Sequence, residues 1–356
     1  MSRFLRPALT KLAPYVPGEQ PQDKQYIKLN TNESPYPPSP LTQRMAQEEL
    51  TRLQLYPDPD CRQLTKALAE HFHVQPEQVL CANGSDDILS YIFLAFGDQQ
   101  QGFAFPDITY GFYSVYGDFY DVPYRRIPLA NDFSLNPADY FGLDCSIILA
   151  NPNAQTGIAL SLAEIAQIAE KNPDRLLVVD EAYVDFGWES AVQLLPQHDN
   201  ILVVQTFSKS RSLAGGRLGF AIASPELIAD LNQVKYSTNP YNVNRLTQAA
   251  GIGALTEDAY YRECCQKVIK SREYTKQALH SLGLEFTDSQ ANFLLARHRQ
   301  LPGEQLYAAL KEGGILVRHF NDERIRDWVR ITIGSQEQME TLIERLREIL
   351  IQEGIA

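Results

Sequence analysis

The sequence predicts an α/β fold: a large domain with a mainly parallel sheet, followed by a smaller α+β domain. Two observations carry this expectation. The runs Ser146-Ile-Ile-Leu-Ala150, Leu176-Leu-Val-Val179 and Ile201-Leu-Val-Val204 are continuously apolar rather than alternating. That is the pattern of strands buried on both faces, and helical patterns such as residues 162–169 separate them. Toward the C-terminus, short strand-like runs alternate with helical stretches, as in α+β domains. A chain of 356 residues is long enough to bury both cores.

Taken in order, residues 1–40 contain Pro14, Pro17, Pro21, Pro35, Pro37, Pro38 and Pro40. So many prolines preclude a regular helix, and the segment is expected to lie as an extended arm over the rest. A helix is expected from about Leu41 to Leu53, then a turn at Tyr56-Pro-Asp-Pro-Asp60. Asp60 with Gln63 reads as a capping box opening a helix over Arg62 to Phe72. The run Val79-Leu-Cys-Ala82 ends at Asn83-Gly-Ser-Asp-Asp87, a polar turn before an apolar helix, Ile88 to Phe96. Such a turn presents free backbone N–H groups to a phosphate. Phe103-Ala-Phe105 is the next strand. Of the aromatic residues after it, Tyr110 is placed to stack on a flat heterocycle, whereas Phe112, Tyr113 and Tyr116 read as core packing. The three long apolar runs then lead into Asn151-Pro-Asn-Ala-Gln-Thr-Gly157, Asp180-Glu-Ala-Tyr183 and Thr206-Phe-Ser-Lys209. Open α/β sheets bind ligands at these carboxyl ends. Residues from about Ser224 to Ser281 are helical in pattern. Strands at Asn292–Arg297, Ile315–Arg318 and Trp328–Ile333, with helices near Gln305–Glu312 and from Glu337, complete the smaller unit. The expected division is an arm (1–40), a large domain (41–275) and a small domain (276–356) to which the arm contributes.

Composition narrows the function classes. The net charge of −12, from 44 acidic and 32 basic residues, argues against nucleic acid as a partner. Cys61, Cys81, Cys145, Cys264 and Cys265 are odd in number and lack Cys-x-x-Cys spacing, which implies reduced thiols and a cytoplasmic protein. The six histidines form no His-Glu-x-x-His signature, so no metal is expected. No signal peptide and no membrane-spanning segment is expected.

The chemistry centres on Thr206-Phe-Ser-Lys-Ser-Arg-Ser-Leu-Ala-Gly-Gly-Arg-Leu-Gly-Phe220. Thr206 and Ser208 offer hydroxyls, Arg217 a planar fork for phosphate, and Gly215 and Gly216 close backbone approach. An amine, Lys209, beside bound phosphate points to a Schiff base with a phosphorylated aldehyde cofactor. The same composition is ordinary in surface loops, so the stretch takes its meaning from partners elsewhere. Asp180, at the end of an apolar strand, can keep a pyridine nitrogen protonated. Tyr183, with an amide from the 151–157 turn, can bond the ring oxygen.

These residues resemble those of the fold-type-I pyridoxal-phosphate aminotransferases of the aspartate aminotransferase superfamily, and within them the histidinol-phosphate aminotransferase family. The resemblance rests on Leu29-Asn-Thr-Asn-Glu-Ser-Pro35, Tyr56-Pro, Asn83-Gly-Ser-Asp-Asp87, Thr109-Tyr-Gly111, Asn151-Pro-Asn153 with Thr156-Gly157, Asp180-Glu-Ala-Tyr183, Ser208-Lys209, Ala214-Gly-Gly-Arg-Leu-Gly219 and Val329-Arg-Ile-Thr-Ile-Gly334. These motifs span nearly the whole chain in the family's order.

The resemblance implies a three-layer α/β/α large domain that binds pyridoxal 5′-phosphate. In it Lys209 is the Schiff-base lysine and proton shuttle, Asp180 the pyridinium partner, Tyr183 the donor to the ring oxygen and Tyr110 the stacking ring. Ser85, Asp86, Thr206, Ser208 and Arg217 form the phosphate cup. Tyr56 reaches the phosphate of the other subunit, which implies a homodimer with shared sites. Arg330 grips a substrate carboxylate; Tyr15 and Arg318 hold a second anion; Asn32, Tyr241 and Asn242 help line the pocket. In two places the chain departs from the family. Ala154-Gln-Thr-Gly157 replaces Asn-Pro-Thr-Gly, which transfers the expected ring-oxygen amide to Asn153 or removes it. Pro106 lies three residues before Thr109, farther than is usual. The implied activity is ping-pong transfer of an amino group between glutamate and imidazole-acetol phosphate. Aromatic-amino-acid transamination and phospho-amino-acid decarboxylation are alternatives within the fold, and a non-catalytic cofactor-binding regulator is an alternative outside it.

Overall fold

In the computed structural model, which describes residues 2–6, 9–10 and 12–355, the three apolar runs lie side by side. They belong to a seven-stranded sheet in the order Val79–Ala82, Gly219–Ile222, Ile201–Thr206, Leu177–Asp180, Ser146–Ala150, Phe103–Pro106, Tyr124–Ile127. All neighbours are parallel except Gly219–Ile222, which runs antiparallel to both of its own. Successive strand residues point to opposite faces, and each face has its own core. Ile147, Val179 and Val203 pack with Leu64, Leu68, Ile165 and Ala250 on one side. Ile148, Val178 and Leu202 pack with Ile88, Ile92 and Ile228 on the other. The helices Arg62–Phe72, Leu162–Glu170 and Arg245–Thr256 therefore cover one face, and Ser85–Phe96, Phe112–Tyr120 and Pro225–Thr238 the other. This is the three-layer arrangement. Each fully buried Ile, Val or Leu contributes about 1.5–3 kcal/mol to holding it.

Several elements differ from the sequence expectation. The first large-domain helix spans Pro40–Glu48 and tightens into a 3-10 turn at Glu49–Arg52. The helix Arg62–Phe72 is not opened by a capping box from Asp60. Its N-cap residue is Cys61 in a left-handed conformation, and the carboxylate of Asp58 accepts from the backbone N–H groups of Asp60 and Arg62. Two prolines make the 56–60 turn tight enough for the earlier aspartate to reach. Gly219–Ile222, not anticipated as a strand, returns along Ile201–Thr206 after the Gly-rich turn. Residues 315–319 divide between two sheets: Ile315–Leu316 pairs with Ile27–Lys28, whereas Arg318–His319 pairs with Val329–Thr332.

The smaller unit has a four-stranded antiparallel sheet ordered Arg318–His319, Val329–Thr332, Phe293–Arg297, Glu285–Phe286. Leu306, Leu310, Leu342 and Leu346, from the helices Gly303–Glu312 and Gln336–Gln352, complete its core. The helix Asp258–Ser281 is continuous through the expected boundary at 275. The arm is stitched to this unit: Leu29 N–H donates to Leu316 O at 2.8 Å, and Thr332 N–H to Leu29 O at 2.9 Å. That stitching carries Thr31 and Asn32 across to the large domain. Among the described residues no helix is long and apolar enough to cross a membrane.

Candidate active site

Parallel register brings the polar strand ends together. Ala150, Asp180 and Val204 are aligned on three adjacent strands, so Asp180 stands at the carboxyl edge, and Lys209 lies just beyond the next strand end. A cavity opens there, lined by Asp180, Tyr183, Thr206, Ser208 and Lys209 from these ends. Ser85, Asp86, Tyr110 and Arg217 close it from neighbouring turns, with the small side chains of Ala150, Ala154 and Ala182. Nine residues singled out in the sequence thus share one cavity.

The electrostatics are those of a buried reactive site. Asp180 is 4% exposed; burial pushes its carboxyl up to about 6, against the opposing effect of the Tyr113 hydroxyl, which donates to Oδ2 at 2.7 Å. The amine of Lys209 is pushed down to about 8, first by burial and then by the positive charge of Arg330. Its Nζ donates to Thr31 O in the arm at 2.9 Å. Burial raises the Tyr183 hydroxyl above its usual value, and Asn32 Nδ2 donates to that hydroxyl at 3.0 Å. Asn32, with φ 57°, is held in turn by Thr332 Oγ1 and Asn292.

The end of the cavity at the helix start combines backbone and side chains. The helix Ser85–Phe96 begins at Gly84 with no side-chain cap, so its first N–H groups are available to a ligand. Gly84 has φ +87°, and a Cβ there would stand 2.6 Å from Arg217 Nη2; a Cβ on Gly219 would stand 2.3 Å from Ser85 N. Only glycine permits this approach of strand end, helix start and guanidinium. Arg217 Nη2 donates to Asp86 Oδ2 at 2.9 Å, and the Tyr110 hydroxyl to Asp86 Oδ1 at 2.8 Å. Thr206 Oγ1 accepts from Ser208 N at 3.1 Å.

The guanidinium of Arg330 flanks the cavity. Arg330 Nη1 donates to Ala154 O at 2.9 Å and Gln155 Oε1 at 3.1 Å, and Nη2 reaches Asn30 O at 3.4 Å. Its guanidinium lies over Phe293 and Phe320. Among the described residues no carboxylate pairs with it, and its Nε is buried without a hydrogen-bond partner. A half-buried cation with a buried Nε, satisfied only by neutral acceptors, is set up to receive an anion. Tyr15 stacks on Phe112 with ring centroids 4.4 Å apart and lies 6.1 Å from Tyr110, which places the arm at the cavity's edge.

Of the other expected residues, Arg318 stands opposite Arg330 in the sheet, its guanidinium over the same Phe320 ring, and the rest lie outside the cavity lining. Asn153 does not line the cavity: Nδ2 donates to Ile108 O, and Oδ1 accepts from Gln155 N and Thr156 N. Its amide is consumed in building the turn, and Ala154 faces the site with no amide. Arg318 donates to Val16 O and Pro17 O, anchoring the arm. Tyr241 stacks on Tyr56 at 4.6 Å on the surface, where Tyr56 is 78% exposed. Asn242 Nδ2 donates to Asp87 and Tyr91 behind the helix start. One contributor to the site is not marked by the sequence: Tyr113, which reads as core packing, donates its hydroxyl to Asp180 Oδ2.

Comparison with known proteins agrees with this geometry. Residues 24–346 match the family model for aminotransferase class I and II. Histidinol-phosphate aminotransferase from Brachyspira hyodysenteriae is 46% identical over 98% of this chain and 99% of its own. That from Acinetobacter baumannii strain AB307-0294 is 48% identical over 98% of each. Among solved structures, histidinol-phosphate aminotransferase from Sinorhizobium meliloti in complex with pyridoxal 5′-phosphate superposes with a TM-score of 0.87 at 22% identity, over 98% of this chain and 99% of that one. With a cavity built from the strand ends and relatives of this similarity along its whole length, the chain belongs to the class I and II aminotransferases, in the histidinol-phosphate aminotransferase family.

Proposed function

We propose that this protein is a pyridoxal-phosphate-dependent aminotransferase that exchanges an amino group between glutamate/2-oxoglutarate and histidinol phosphate/imidazole-acetol phosphate. The observation that carries the reading is the pairing of a half-buried lysine, Lys209, with a buried carboxylate, Asp180, in one cavity at neighbouring strand ends, in a chain 46–48% identical to histidinol-phosphate aminotransferases. The donor set fits the cofactor. The uncapped helix start, Thr206, Ser208 and Arg217 suit a phosphate group, and Asp180, in the same cavity, would partner a ring nitrogen. When bound, the cofactor supplies an aldehyde for an amine to join and a ring that accepts electrons from the substrate's Cα–H bond.

The protein's own groups supply the rest. Asp180, ionised above about 6, holds a proton on the ring nitrogen, and Tyr113 keeps the carboxylate in place. Tyr183, fixed by Asn32, is the donor for the ring oxygen in place of the amide that Ala154 lacks. Lys209 can give up its proton near neutral pH, and so would take the proton from the substrate's Cα and deliver it, across the amino nitrogen, to the cofactor's former aldehyde carbon. Arg330 holds the substrate's anionic end, and Tyr15 of the arm helps keep water from the cavity's edge. Five free, buried cysteines support a reducing, cytoplasmic setting. The exposed Leu53, Leu55 and Tyr56 support a homodimer through that face.

Turnover of histidinol phosphate with 2-oxoglutarate, measured beside phenylalanine, tests the reading. Histidinol phosphate should be preferred by at least about tenfold in kcat/KM, as expected of a site that pairs a charged group. Equal or better turnover of phenylalanine would transfer the assignment to aromatic amino acids.

A further inference from the structure

Gln155 stands where Arg330 meets the site. Its backbone N–H is tied to Asn153 Oδ1 at 2.9 Å, which fixes the turn. Its side chain is only partly buried, yet Oε1 accepts from Arg330 Nη1 at 3.1 Å. With the 2.9 Å bond to Ala154 O, both hydrogens of Nη1 are engaged. What remains is the other edge of the guanidinium: Nε without a partner and Nη2 with a single long contact at 3.4 Å. Two parallel N–H donors on one edge are what a carboxylate or phosphate oxygen pair accepts. Phe293 and Phe320 confine the guanidinium over their rings at 5.1 and 5.4 Å. In-plane rotation is therefore the freedom left to it, and Gln155 opposes that rotation.

We infer that Gln155 is a positioning residue for the substrate anion: by holding Nη1 through a neutral acceptor, it turns the free edge of Arg330 toward an incoming carboxylate or phosphate monoester while leaving the positive charge uncompensated. Neutrality is the essential property. A carboxylate at the same place would hold the guanidinium equally well but would occupy its charge. The inference rests on the reading of Arg330 as the anion-binding group.

The test uses the cofactor-loaded protein and three variants, Gln155→Met, Gln155→Glu and Arg330→Ala. Succinate, an unreactive dicarboxylate, serves as the binding probe in calorimetry, and glutamate as the substrate. Gln155→Met, close in shape but without the acceptor, should weaken succinate binding and raise KM for glutamate by about 3- to 10-fold with kcat within about twofold, the signature of lost ground-state and transition-state binding alike. Gln155→Glu should weaken both by about 30-fold or more, because Arg330 is then already paired. The visible absorption of the bound cofactor should be unchanged in both. Succinate affinity within twofold of the unaltered protein in both Gln155 variants, or Gln155→Glu no weaker than Gln155→Met, would overturn the inference. Arg330→Ala separates the two levels: loss of succinate binding there with none in the Gln155 variants defeats only the role of Gln155, whereas unaltered binding in Arg330→Ala defeats the anion-site reading and this inference with it.

Discussion

Lys209 carries the clearest consequence of burial at a single residue. Its amine titrates near 8 rather than at the ordinary 10.5, and Arg330 is the second largest cause after burial. Modification of cofactor-free protein by an amine-directed reagent should therefore show Lys209 reactivity rising with pH through about 8, and Arg330→Ala should move that rise to higher pH by removing a like charge. A rise centred near 10.5 in both would contradict it. Because the folded state binds fewer protons than the unfolded chain between about 8 and 10.5, Lys209 also makes stability increase with pH across that window. Tyr113 supplies a second test at this scale. Its hydroxyl lowers the carboxyl of Asp180 against burial, so Tyr113→Phe should push Asp180 above 6. Turnover near pH 7 should fall roughly tenfold, from the loss of a hydrogen bond to a charged group, and recover in part at pH 8.5 as Asp180 ionises; an equal loss at both pH values would rule this account out. Asp180 and Tyr183 were legible in the sequence because charge and hydroxyl abruptly end an apolar strand. Tyr113 was not, because a tyrosine in an aromatic helical run gives the same pattern whether or not its hydroxyl has a partner. Asn153 misled for a related reason: an asparagine in a turn after a strand can serve ligand or backbone, and here Ile108 O and two backbone N–H groups claim its amide.

The cavity end proposed to hold the phosphate depends on how whole elements meet. Three of them, the strand Val79–Ala82, the helix Ser85–Phe96 and the strand Gly219–Ile222, meet at Gly84 and Gly219. The parallel strands were readable from their apolar runs, each fully buried over four residues or more. Gly219–Ile222 was not, since four residues beginning with glycine show no periodicity and follow a turn rich in other glycines. Its place is set by pairing with two strands at once, which only the folded sheet reveals. The cost of disturbing the junction can be measured. Gly219→Ala puts a Cβ 2.3 Å from Ser85 N, and backbone on both sides must yield. Stability should fall by about 1–3 kcal/mol, as for overpacking elsewhere, and affinity for pyridoxal phosphate should drop because the helix start shifts. Gly215→Ala, where a Cβ would meet nothing within 4 Å, should leave stability within about 0.5 kcal/mol of the unaltered protein. Chemical denaturation of the two variants side by side checks this, and equal destabilisation would show that the close approach does not matter.

At the scale of the whole molecule, one stretch of surface groups apolar side chains although the chain carries a net charge of −12. Leu50, Leu53, Leu55 and Tyr56 lie exposed within one short segment, and Tyr241 stacks on Tyr56 from the turn before Arg245–Thr256. Arg245 fixes this segment from below, donating to Tyr56 O at 2.8 Å and to Glu49 Oε2 at 2.7 Å. This tyrosine is held by stacking and backbone yet 78% exposed and lies outside the lining of its own cavity, which leaves it accessible to a second copy in the proposed homodimer. If the two copies share sites through Tyr56, defects in Lys209 and Tyr56 must complement each other. In a dimer of one Lys209→Ala copy and one Tyr56→Ala copy, one site carries both defects, and the other combines an intact Lys209 with the intact Tyr56 of the opposite copy. A heterodimer purified through two different tags should therefore show roughly half the activity of the unaltered dimer, by the two-fold symmetry of the assembly, although each parental homodimer is impaired at both sites. If every site is built from one copy alone, the heterodimer can only average its parents. Activity no higher than that average, measured at limiting pyridoxal phosphate, would rule out shared sites.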